Sequence, residues 1–208
     1  MAEQYLSAYA VDADGFLGMV GSHDDALVRA ALGGIPELGA SGALLRARQA
    51  AEVEPALREI VTGRPDPSRP GGYGWLLELL GPTAGHRIGS IVPPGRDRRR
   101  LEDTFRAWDL TVLSALWGRC WTFPWHGPGP DHDPLPFPML APRAELARLR
   151  AELAAFDSER IDADHDLLPN GDDDIEEVAW LLDDILPSWT DAALAEDRDL
   201  LLVRDGGR

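Results

Sequence analysis

The sequence has 208 residues, of which 44% are hydrophobic and seven are tryptophan, and its formal net charge is −16. A chain of this size and composition can bury a core, which excludes wholesale disorder. No apolar run reaches the roughly 18 residues that span a bilayer, and the single cysteine, Cys120, excludes an intrachain disulfide. The first residues lack the basic region of a secretory signal. We therefore expect a cytoplasmic protein without a membrane partner.

The first half of the chain alternates short apolar segments with turn-rich stretches. Residues 5–11 and 88–92 have the length and composition of strands. The run 44–61 has a helical composition, and Pro55 is expected to divide it. Residues 63–74 are rich in proline and glycine and form the clearest break in the sequence. Because the apolar segments on either side look too small to fold alone, we interpret this break as a loop within one domain.

Helical periodicity dominates the second half. Five apolar residues recur every three or four positions, which predicts one helical stripe: Leu101, Phe105, Trp108, Val112 and Leu116. A second Pro/Gly-rich loop covers 124–142. Apolar spacing then predicts a helix at 146–156, a helix from 175 that ends at Pro187, and a short helix at 188–195. Residues 200–203 are typical of a terminal strand. The predicted fold class is α+β: a mostly helical single domain, 1–208, with a small sheet pairing the N- and C-terminal strands.

The order of these elements in the C-terminal third resembles a known group of proteins. A Pro-Leu-Pro-Phe-Pro segment at 134–138 precedes the 146–156 helix, and an acidic turn, Trp189 and the apolar run 200–203 follow. Over about residues 134–204 this order resembles small bacterial proteins of unknown function, of the YfbM-like kind and related families from GC-rich genomes. The resemblance implies a compact α+β domain with terminal strands, and it brings no catalytic residues with it.

The negative charge is concentrated at the C-terminal end. Residues 157–208 contain 17 acids and 4 arginines, a net of −13, whereas the first 156 residues contain 19 acids and 16 arginines, a net of −3. A surface of this sign repels phosphate backbones, which argues against nucleic-acid binding. The one basic cluster is expected to be a solvated loop facing the acidic C-terminal segment; it comprises Arg96, Arg98, Arg99 and Arg100.

Two groups of residues in or just before the loop at 124–138 could bind a ligand. His126, Asp131 and His132 are residue types that ligate zinc or iron, but their spacing matches no helical zinc pattern. We therefore expect no cofactor and keep these residues only as metal candidates. The tryptophans at 117, 121 and 125 are spaced by four and could share a helical face. Core packing of this cluster and a ligand or partner surface, with Trp121, Trp125 and His126 as binding residues, both remain open.

The acidic run before the 175–186 helix has a structural interpretation. Asp173 at the N-cap and Glu176 three positions later form a capping pair, and acids at a helix N-terminus oppose its positive end. Asp183 and Asp184 are different, because near a helix C-terminus their charge is unfavourable. An arginine from this chain or from another protein would resolve that conflict, which makes both residues candidates for partner binding.

These observations favour a non-catalytic protein of regulatory or immunity-like type. It would bind a basic partner protein through its acidic C-terminal surface, since no catalytic motif accompanies the −13 charge. One alternative is an enzyme, with or without a metal, whose pocket lies under the loop at 124–138. Another is a small-molecule binding module built on Trp117, Trp121 and Trp125. The oligomeric state is left open by the sequence.

Overall fold

The computed structural model describes residues 4–35, 46, 49–66, 76–95, 97–121 and 137–206. Four strands lie in these ranges: β1 (Gln4–Val11), β2 (Gly85–Ile91), β3 (Phe137–Ala141) and β4 (Asp199–Gly206). The α-helices there are α1 (Ala13–Gly18), α2 (Asp25–Gly34), α3 (Glu54–Val61), α4 (Leu76–Ala84), α5 (Arg98–Ala107), α6 (Thr111–Gly118), α7 (Arg143–Ala155), α8 (Glu159–Ala163), α9 (Ile175–Trp180) and α10 (Leu186–Ala195). Two π-helical segments, Gln49–Val53 and Leu181–Ile185, and two 3₁₀ turns, His165–Leu167 and Gly171–Asp174, complete the description.

The chain divides into two compact units. The first, here called the sheet unit, comprises residues 1–10, 88–121 and 138–207; the second, the helical unit, comprises 11–87, 122–137 and 208. The interpretation of residues 1–208 as one domain stays a prediction. Each unit has its own apolar interior. In the helical unit that interior includes Phe16 of α1, Val28 of α2 and Leu57 of α3, all of them buried.

The strands form one small antiparallel sheet in the order β2-β1-β4-β3. The N-terminal strand β1 and the C-terminal strand β4 are therefore neighbours at its centre, which confirms the predicted α+β fold class. The central position explains why the last strand is a run of leucines. Leu200, Leu201 and Leu202 are all fully buried, and a strand covered on both faces needs a continuous apolar run and not alternation.

The predicted helix through 101–116 is in fact two helices, α5 and α6. Asp109 adopts a left-handed conformation with φ of 62°. The amide of Leu110 donates to the carbonyl of Phe105 at 2.9 Å, and that of Asp109 donates to the carbonyl of Arg106 at 3.2 Å. This pair of bonds is a Schellman motif, which ends α5. The single-helix prediction was wrong because aspartate occupies the position where glycine is the usual signal.

Proline shapes both π-helical segments without ending either helix. One segment ends at Val53, two residues before Pro55, and the other ends at Ile185, two residues before Pro187. A proline ring clashes with the carbonyl four residues earlier, and a wider turn relieves that clash. Pro187 lies at the start of α10, so the helical run continues from Ile175 to Ala195. The prediction that the helix ends at Pro187 was therefore wrong.

Candidate functional site

Part of the acidic C-terminal segment is neutralised within the sheet unit itself. Asp197 accepts from Arg143 at 3.0 Å, and Asp191 accepts from Arg150 at 2.8 Å. The carboxylate of Asp164 accepts from the indole nitrogen of Trp108 at 3.0 Å. These acids tie the C-terminal segment to α5 and α7 and are not available to a partner as isolated charges.

A second set of acids lies on one exposed face and has no such partner. Asp173, Glu176, Glu177 and Asp184 are all exposed, and none of their carboxylates has a hydrogen bond or ion pair with any residue in the described ranges. Glu176, Glu177 and Asp184 lie along one side of the helical run that begins at Ile175, and Asp173 lies in the 3₁₀ turn just before it. We call these four residues together with Trp180 the acidic stripe.

Trp180 lies in the middle of the acidic stripe. It is three and four positions after Glu177 and Glu176, and four before Asp184, and 47% of its surface is exposed. Its neighbours Val178 and Leu181 are buried, so the helix buries its other side and leaves the indole outside. Trp180 is not among the candidate residues that the sequence predicts. The sequence nevertheless indicates its exposure, because helical spacing places Trp180 away from the apolar face formed by Val178, Leu182 and Leu186.

The continuous helical run changes the setting of Asp183 and Asp184. Both lie in the π-helical segment Leu181–Ile185, ten or more residues before the end of α10 at Ala195. The expectation that they sit near a helix C-terminus was therefore wrong, and no conflict with the helix dipole arises. Asp183 accepts from the hydroxyl of Ser158 at 2.8 Å, whereas Asp184 belongs to the acidic stripe.

The capping pair predicted for α9 is also different in the structure. The N-cap residue is Asp174, not Asp173, and its side chain makes no capping bond to the helix. The carboxylate of Asp174 is buried and accepts from the amide and the side chain of Asn170, both at 2.9 Å. Asp174 thus stabilises the turn that leads into α9, and Asp173 is left on the exposed face.

His165 connects the two 3₁₀ turns that precede α9. Its Nδ1 lies 3.0 Å from the carbonyl oxygen of Asp162, and its Nε2 lies 3.5 Å from Asp166 and 3.6 Å from Asp172. The hydrogen bond to Asp162 and the charge of Asp172 raise the pKa of His165 above its ordinary value, followed by the smaller effect of Asp166. When it is protonated, the ring can pair with Asp166 and Asp172 and so join the two turns before the acidic stripe.

We expect this contact to make stability depend on pH. The pKa of His165 is raised on folding. Protonation of the ring therefore adds to the free energy of unfolding in full below the unfolded pKa of about 6.5, and this stabilisation is lost as the pH rises through the folded pKa. Replacing His165→Gln should therefore lower the urea midpoint more at about pH 5 than at about pH 8. An equal loss at both pH values would contradict the assignment.

The tryptophan candidates separate in the structure, and the single cysteine is not activated as a nucleophile. Trp117 lies on α6 and is fully buried. Because α6 ends at Gly118, the half-buried Trp121 lies beyond it, with its amide donating to the carbonyl of Pro138 at 2.7 Å. The two indoles therefore do not share a helical face. Burial raises the pKa of the Cys120 thiol, and Arg98 only partly opposes this effect. The thiol form that results is a poor nucleophile.

Most of the second predicted loop lies outside the described residues. This part, 124–136, holds Trp125, His126, Asp131 and His132 and is the stretch proposed to cover an enzyme pocket. Residues 137–141 instead form the edge strand β3, where Pro138 is tolerated, so the prediction of a loop through 142 was wrong at its end. Among the residues that are described, no group of three or more His, Cys, Asp or Glu side chains could hold a metal ion. Within the same ranges no helix has the length and apolar character needed to cross a membrane.

The basic cluster begins a helix and is not a loop. Arg98 and Arg100 lie in the first turn of α5, which Asp97 caps through the amides of Arg99 and Arg100. Arg98 is buried and donates to the carbonyl of Trp117 at 2.7 Å. Arg100 donates to the carbonyl of Pro169 at 3.1 Å, which confirms that the cluster meets the C-terminal segment. Arg96 lies outside the described residues.

The fold and the acidic stripe define an α+β protein with a charged helical surface. The chain belongs to the family described as "Domain of unknown function (DUF7691)", whose match covers residues 2–204 and thus nearly the whole sequence. A search of curated proteins found no match, and a search of solved structures also found none.

Proposed function

We propose that this chain is a non-catalytic cytoplasmic protein, of regulatory or immunity-like type, that binds a basic partner protein through its acidic C-terminal surface. The observation that carries the proposal is the acidic stripe. It places three exposed carboxylates on one helix face and that of Asp173 in the turn just before the helix, and none of these four carboxylates has a hydrogen bond or ion pair among the described residues. The finer resemblance to bacterial YfbM-like proteins is part of the same proposal.

The distribution of charge within the sheet unit supports binding through this face in particular. Arginines of α7 already neutralise Asp191 and Asp197, so these two acids of the C-terminal segment stabilise the fold. The stripe acids have no such role, and like charges on adjacent turns of a helix repel one another. A cationic partner would relieve this repulsion. It would also be attracted over distance, which speeds association and makes it sensitive to salt.

The test compares two triple variants that remove the same charge. One neutralises the stripe (Glu176→Gln, Glu177→Gln, Asp184→Asn), and the control neutralises three exposed acids elsewhere in the sheet unit (Glu145→Gln, Glu159→Gln, Asp162→Asn). The immobilised full chain should capture a basic protein from a bacterial extract. The stripe variant should lose that protein, and the control variant should keep it.

Salt provides the second readout of the same experiment. Raising it from about 0.1 M to about 1 M shortens the Debye length from roughly 10 Å to 3 Å and should release the captured protein. Capture of an acidic protein, capture that salt does not affect, or equal capture by both triple variants would contradict the proposed function.

A further inference from the structure

We infer that Trp180 is the anchor of the acidic stripe and that it takes an arginine side chain from a segment of the partner protein. The inference rests on the proposed function and adds the chemistry of recognition to it. Trp180 is exposed on a helix whose other side is buried, and its indole makes no hydrogen bond or ring contact with any described residue. Its surroundings are therefore those of a contact surface and not of the core.

The position of the indole among the carboxylates selects the ligand. Glu176 and Glu177 lie one turn before Trp180 and Asp184 lies one turn after it, so acidic groups flank the ring on both sides along the helix. A guanidinium group can lie flat on an indole and still direct its N–H groups outward to carboxylates. A lysine ammonium offers a point charge without the planar stacking surface. The arrangement therefore favours arginine over lysine.

The length of the stripe sets the size of the partner segment. Within the helical run, Glu176 and Asp184 are eight residues apart, which corresponds to about 12 Å along a helix. Two to three turns of a second helix with arginines on one face match this length and this charge. The occupant is thus an arginine-bearing segment of a protein, with one arginine on Trp180 and its neighbours on the flanking acids. The repulsion of phosphate groups by the same acids excludes a nucleic-acid segment.

The test uses two synthetic probes and the full chain. The probes are alanine-based helical peptides that carry three arginines, or three lysines, on one face, and binding is measured by calorimetry at low salt. We expect Trp180→Ala to weaken binding of the arginine peptide about five- to tenfold, with Trp180→Phe in between, because Phe keeps a weaker aromatic face. The lysine peptide should lose about twofold or less with Trp180→Ala. Unchanged circular dichroism shows that each variant is folded.

The outcomes distinguish the two proposals. Equal binding of the arginine peptide to wild type and Trp180→Ala, combined with loss in the triple stripe variant (Glu176→Gln, Glu177→Gln, Asp184→Asn), would overturn the anchor and leave the proposed function standing. Equal losses for the two peptides with Trp180→Ala would overturn the preference for arginine. Binding that the stripe variant does not weaken, or failure of the wild type to bind the arginine peptide at all, would overturn both.

Discussion

Replacing Gly95→Ala should destabilise the protein by about 2–4 kcal/mol. Gly95 adopts a left-handed conformation with φ of 60°, and an added Cβ would lie 2.8 Å from two atoms of the Pro169 ring and 3.2 Å from the buried carboxylate of Asp174. The carbonyl of Gly95 also accepts from the buried Arg204 at 2.9 Å. The backbone cannot move away from Pro169 without disturbing this bond, so backbone strain and steric overlap both contribute.

Gly171 provides a matched control for Gly95. It has nearly the same φ, 63°, but a Cβ added there would meet nothing within 4 Å. Gly171→Ala should therefore cost only the conformational part, about 1–2 kcal/mol. Chemical unfolding of both variants measures the difference. Equal losses of unfolding free energy would show that the approach of Gly95 to Pro169 does not constrain the fold.

Replacing Glu152→Ala should lower the unfolding free energy by about 2 kcal/mol. Glu152 extends from α7 to the first turn of α6, which has no capping bond from its own N-cap residue Leu110. Its two carboxylate oxygens accept from the amides of Val112 and Leu113, both at 2.9 Å. The substitution removes both bonds, and it also removes a negative charge from a helix N-terminus, where it is favourable.

Glu145→Ala is the control for Glu152. Both glutamates lie on α7, but Glu145 is exposed and its carboxylate makes no hydrogen bond or ion pair with any described residue. Its removal should change the unfolding free energy by only a few tenths of a kcal/mol. Glu152→Gln should give an intermediate loss, because the amide keeps one acceptor oxygen. A loss for Glu152→Ala no larger than that for Glu145→Ala would contradict the capping role.

Apolar periodicity was the reliable part of the sequence. It placed the helix α7, which buries a face whose spacing is fixed by the backbone, and short apolar runs placed the terminal strands β1 and β4. It failed at Asp109, where a Schellman motif formed without glycine, and at Pro187, where a π-helical turn absorbed the proline. At both positions the backbone adopts a conformation that is uncommon for the residue type, and the residue type alone does not predict it.

The candidate site was only half visible in the sequence. The concentration of charge in 157–208 located the surface, but composition does not tell Asp191, which an arginine neutralises, from Asp184, which stands alone. That distinction depends on contacts between residues far apart in the chain. Trp180 was missed because a tryptophan in a helical run is usually assigned to the core. Its position away from the apolar face carried the signal, and the structure shows the indole exposed there.

The most direct test of the acidic stripe is a nuclear magnetic resonance titration of the isotope-labelled full chain with the arginine peptide. The chain contains seven tryptophans, each of which gives its own indole N–H signal. We predict that the indole signal of Trp180 and the backbone signals of residues 172–184 shift most, and that these shifts disappear at high salt. If the arginine peptide instead shifted the indole signal of another tryptophan most, or the backbone signals of a surface away from residues 172–184, the account would be contradicted.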